Sequence, residues 1–135
     1  MRKTVNATVA LILVLAGLAV ATWLLLRLLP VKDGATDWFG PLAATGWMAW
    51  TFPTAMFFVT IATLLALMAV WEYAAPGGNP RIGILRFETT RGDRLFISLL
   101  GTAFIHLAWL GLIGTSLWWA LALSVVYAVG VFRLV

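Results

Sequence analysis

From Leu95 to Phe132 the chain runs for 38 residues without a formal charge, and His106 is the one residue there able to become cationic. A single α-helix of that length would measure about 57 Å. The hydrocarbon core of a bilayer is roughly 30 Å thick. The run must therefore fold back on itself. Gly114-Thr115-Ser116 is the turn signal inside it. This predicts a third membrane span over about residues 95–113 and a fourth over about 117–133.

Two further apolar runs have the same character. The first extends from about Val5 to Leu29, behind Arg2 and Lys3. The second extends from about Pro53 to Tyr73 and stops at Pro76-Gly77-Gly78-Asn79-Pro80. None of the runs alternates polar and apolar residues, which argues against barrel strands. In lipid the remaining way to satisfy the backbone is a helix. The chain is 63% hydrophobic and 10% charged, against roughly 25% charged in soluble domains. The expected fold is an all-α integral membrane protein with four transmembrane helices.

The first run also fits a cleaved secretory signal, with Ala19-Val20-Ala21 as the cleavage box. Its continuation through Trp23, Leu24, Leu25 and Leu26 favours an uncleaved signal anchor. The loop that follows has a turn signal at Lys32-Asp33-Gly34. Trp38, Trp47 and Trp50 predict a segment in the head-group layer, with a short interfacial helix after Pro41. Pro53 suits the first turn of the second helix. In the middle loop, Thr90 and Asp93 have the spacing of a capping box.

Charge sets the expected orientation. Arg2, Lys3, Arg81, Arg86, Arg91, Arg94 and Arg133 fall on one side of a four-helix path, and only Arg27 and Lys32 on the other. The positive-inside rule then predicts both termini and the middle loop in the cytoplasm. The net charge of +4 is accordingly read as topology and head-group contact, not as nucleic-acid binding.

Three groups of residues are candidates for a site. Arg81, Arg86, Arg91, Asp93 and Arg94, interleaved with Ile82, Ile84, Leu85 and Phe87, form a candidate surface for docking lipid or a partner. Ser98, Thr102 and His106 recur every four residues and share a helix face. They predict either a polar path or ligand contact, or a structural histidine bonded to Thr60, Thr63 or Tyr127 across a helix interface. Glu72 is expected to pair with a loop arginine at the interface. Gly101, Ala108, Gly111 and Gly114 give the third span a small-residue surface. With no cysteine there is no disulfide and no thiolate metal site. No nucleophile–base pair, phosphate loop or metal cluster is apparent, so neither catalysis nor a cofactor is expected.

The stretch from Pro76 to Phe96 (PGGNPRIGILRFETTRGDRLF), followed by Gly101 to Gly111 (GTAFIHLAWLG), resembles the predicted small integral membrane proteins of domain-of-unknown-function family 2160. The resemblance covers roughly residues 47–135, a three-helix core with the basic loop 76–94. Residues 1–46, the signal-anchor helix and outer loop, lie outside it. The resemblance implies a bacterial inner-membrane protein. It also implies an accessory or assembly subunit of an ABC importer for glycerol or related polyols, in contact with the permease subunits. A small oligomeric solute channel, with its path along the third helix, is the other reading.

Overall fold

The computed structural model describes residues 1–43, 50–114 and 116–135. Among these residues lie four α-helices: α1 (Arg2–Arg27), α2 (Phe52–Ala74), α3 (Arg91–Leu112) and α4 (Leu117–Leu134). Each is long and apolar enough to cross a membrane. Two antiparallel ribbons accompany them. One pairs β1 (Val31–Lys32) with β2 (Ala35–Thr36), and the other pairs β3 (Arg81–Ile82) with β4 (Glu88–Thr89). The chain forms two compact units, Met1–Ala74 and Ala75–Val135.

In the first unit α1 and α2 form an antiparallel hairpin. The Asn6 side-chain amide donates to the Tyr73 hydroxyl at 3.5 Å, joining the start of α1 to the end of α2. Gly17 and Ala21 on α1 share a shallow groove with Ala62 and Ala66 on α2, each pair at the four-residue spacing of one helix face. The ribbon β1–β2 turns through Asp33 (φ 52°) and Gly34 (φ 79°), the paired left-handed conformation of a tight hairpin turn. The Asp37 N–H closes it on the Pro30 carbonyl at 2.9 Å. Thr51 precedes α2, and its hydroxyl lies 3.4 Å from the Thr54 N–H. Pro53 falls in the first turn, as its missing N–H predicts.

Aromatic side chains gather beside these turns. Trp38 meets Phe52 edge-on at 5.4 Å and Trp50 meets Phe58 at 5.3 Å. The Arg27 guanidinium lies over the Trp23 ring at 4.7 Å, a cation–π contact. The interfacial helix expected after Pro41, together with Trp47, falls among residues outside those described.

In the second unit α3 opens with a complete capping box. The Thr90 hydroxyl accepts from the Asp93 N–H at 3.3 Å, and the Asp93 carboxylate accepts from the Thr90 N–H at 2.8 Å. The helix therefore begins at Arg91, one turn before the charge-free span. At its other end the Ile113 and Gly114 N–H groups both reach the Trp109 carbonyl, at 2.9 and 3.1 Å. Gly114 has φ +131°, a conformation that L side chains rarely adopt. α4 then returns along α3. The Tyr127 ring covers Gly101, where a Cβ would overlap it, and the Tyr127 hydroxyl donates to the Ile97 carbonyl at 3.3 Å.

Six serine and threonine hydroxyls inside the helices share one arrangement. Thr8, Thr22, Thr60, Thr63, Ser98 and Ser124 each donate to the carbonyl four residues earlier, at 2.7–2.9 Å. Their protons are thus satisfied within their own helices, as hydrocarbon requires. Among the described residues only Ala7, Ala120 and Val131 are buried apolar side chains. The remaining apolar helix surface is left for lipid or other proteins.

The capping box yields a direct expectation. Thr90→Ala should cost about 1 kcal/mol, the usual worth of such a cap, and Thr90→Ser should recover most of it. Reversible unfolding in mixed micelles measures both. Equal stability of the alanine and serine variants would mean that the cap carries nothing.

Candidate functional site

The loop between α2 and α3 is tied to the end of α4. The last turn of any helix leaves carbonyls without intrahelical partners and carries partial negative charge. Here the loop supplies the missing donors. The Arg81 guanidinium donates to the Phe132 carbonyl. The Ile84 N–H donates to the Leu134 carbonyl at 3.0 Å. The Thr89 hydroxyl, fully buried, donates to the Val135 carbonyl at 2.9 Å. Gly83 makes the approach feasible, because a Cβ there would overlap the Leu134 and Val135 backbone oxygens.

Two more arginines hold the loop from within. Arg94 is 2% exposed and donates to the carbonyls of Asn79 and Thr89, both at 2.9 Å. Arg91, also 2% exposed, donates to the Ala75 carbonyl. The Nε atoms of Arg81 and Arg94 are buried and have no hydrogen-bond partner. Asp93 is engaged with Thr90. The expected docking group therefore divides. Arg81, Arg91 and Arg94 turn inward to backbone oxygens, Asp93 caps a helix, and Arg86 stands exposed at the loop tip. Glu72 is exposed in the last turn of α2.

The intramembrane polar residues resolve differently. His106 Nδ1 lies 2.8 Å from the Thr102 carbonyl, one turn back on its own helix. A carbonyl only accepts, so Nδ1 carries the proton. Ser124 on α4 lies 3.4 Å from the same nitrogen. Its own proton goes to the Ala120 carbonyl at 2.8 Å, so its oxygen is a second, longer acceptor. Within the second unit the cross-helix neighbour of His106 is thus Ser124 and not Tyr127, one of the partners the sequence suggested along with Thr60 and Thr63. The two threonine hydroxyls bond their own helix, and Tyr127 reaches Ile97. In the uncharged ring Nε2 is then the bare acceptor. His106 also lines a hollow of about 290 Å³ with Leu117, Trp118 and Leu121. The indole N–H of Trp109, three residues on, is buried without a partner.

Sequence reasoning passed over Thr89, Gly83 and Ser124. Thr89 and Gly83 matter because they meet the chain end some fifty residues away, which no local pattern reports. Ser124 carried a weak signal, being the one serine or threonine in α4.

Two outcomes are expected. Gly83→Ala should destabilise the second unit by about 1–3 kcal/mol, the range for overpacking, and should speed amide exchange at Ile84 and Thr89. Gly111→Ala, where a Cβ meets nothing within 4 Å, should change neither. Separately, ¹⁵N spectra of His106 should report the Nδ1–H tautomer in both the wild type and Ser124→Ala. A predominant Nε2–H tautomer would contradict the assigned geometry.

Comparison with known proteins adds one match. A family model described as "Predicted small integral membrane protein (DUF2160)" matches residues 47–135, which take in α2, the loop, α3 and α4. No curated protein and no solved structure matches the chain.

Proposed function

On the premise that the chain belongs to the DUF2160 family of predicted small integral membrane proteins, we propose that it is a non-catalytic accessory or assembly subunit of the bacterial inner membrane. In this reading it associates with the permease of a polyol (glycerol-type) ABC importer. The observation that carries the accessory role is the open surface at Gly111 and Gly130. A Cβ at either would meet nothing within 4 Å, whereas Gly101 on the same helix as Gly111 is already filled by Tyr127. Small residues admit the close approach of another transmembrane helix, and these two positions leave room for one. The importer as partner rests on the setting that the family resemblance implies. The concentration of arginine in loop 76–94 supports an orientation with both termini and this loop in the cytoplasm.

A solute channel along α3 has less support. Ser98 and Ser124 spend their protons on their own helices. Apart from His106, the described residues that line the hollow beside it are apolar.

Affinity purification of the full chain from native membranes in mild detergent should retrieve the importer permease. Gly111→Leu should abolish that recovery without lowering thermal stability. Recovery of the chain alone, under conditions that leave the importer intact, would end the accessory reading. Solute uptake by purified chain in liposomes would favour the channel. A reporter fused after Val135 should be active in the cytoplasm, and periplasmic activity would invert the orientation.

A further inference from the structure

The tip of the middle loop is apolar and exposed. Ile82 is 73% exposed, Ile84 65% and Phe87 55%, with Leu85 beside them. The tip is also cationic, through Arg86, and exposed Arg133 lies close along the chain to Leu134, the residue to which Ile84 is bonded. In an aqueous loop this composition would be unfavourable. The position of the tip supplies the explanation. α4 has 18 residues, a length of about 27 Å, against a hydrocarbon core of roughly 30 Å. Arg133 is the first charged residue after the uncharged run and marks where the helix leaves the hydrocarbon, so Leu134 beside it sits at the hydrocarbon boundary. The Ile84 N–H is bonded to the Leu134 carbonyl at 3.0 Å. The tip is therefore held at the level of the membrane surface, beside the end of α4.

We infer that residues 82–87 dock on the head-group layer of the protein's own membrane. Ile82, Ile84 and Phe87 enter the acyl boundary, and Arg86 and Arg133 pair with the phosphates of anionic phospholipids. The arrangement resembles that of interfacial segments that combine apolar insertion with basic residues. The internal arginines take no part as ligands. Arg81, Arg91 and Arg94 brace the loop so that its tip is presented as a fixed surface. The inference is independent of any transporter partner.

Arg86 allows a clean separation of folding from binding. It occupies the left-handed region at φ +62°, where glycine is unstrained. Arg86→Gly should therefore preserve the loop while removing the charge. The chain has no cysteine, so Ile84→Cys in the full chain can carry a single nitroxide label. The label's accessibility to oxygen and to a water-soluble nickel chelate is read in nanodiscs. One set contains phosphatidylcholine alone, and the other phosphatidylcholine with phosphatidylglycerol.

The expected result is a label shielded from the chelate in the anionic discs and markedly less shielded in the zwitterionic ones. Arg86→Gly should weaken the anionic preference by about fivefold, the usual effect of one basic residue at a charged surface. Unchanged amide exchange at Thr89 confirms that the loop is intact. A label open to the chelate in both lipids overturns the inference, as does shielding that is identical in both. Shielding found only in native membranes, and lost in nanodiscs of purified protein, would assign the surface to a protein and equally overturn it.

Discussion

Hydrocarbon gives no hydrogen bonds, and nearly every polar feature of this chain is arranged around that fact. The backbone solves it by forming helices. Side-chain hydroxyls solve it by bonding the carbonyl one turn back, from Thr8 in α1 to Ser124 in α4. His106 does the same with its Nδ1 proton. The difficult places are the helix ends, where several carbonyls or N–H groups have no partner within the helix. At the start of α3 the answer is a capping box. At the end of α4 the answer is a loop bound to the last turn.

That loop explains the basic residues better than charge alone does. Arginine carries five donors in a rigid fork, and it can satisfy several carbonyls at once. Arg94 reaches two of them, and Arg81 reaches back across 51 residues of sequence to Phe132. A buried guanidinium is costly unless it is well bonded. The carbonyl-rich end of a helix, with its partial negative charge, is a favourable place for one. Topology signal and structural brace are therefore compatible roles for the same residues.

The helix surfaces show a second division of labour. Gly101 and Gly83 are close-approach glycines, one under an aromatic ring and one against the backbone of α4. Gly111 and Gly130 face open space. Internal packing and the surface left for other molecules thus draw on the same residue type, and only the neighbour distinguishes them. α1 lies outside the matched family region and still packs closely on α2, with Ala7 buried. It belongs to the first compact unit.

Local physics made much of this legible in the sequence. Apolar run length against bilayer thickness predicted four helices. Pro53, Asp33-Gly34 and the Thr90–Asp93 pair marked their turns and ends, because each acts within three or four residues of itself. The same holds for the shared face of Ser98, Thr102 and His106, which follows from helical period alone. What Arg81 binds, which hydroxyl faces His106, and which glycines are filled were decided only by tertiary structure. Those outcomes depend on Phe132, Ser124, Tyr127 and Leu134, residues 18 to 51 positions from their partners. Sequence spacing carries no information about such encounters, since the angle and register at which two helices pack determine them.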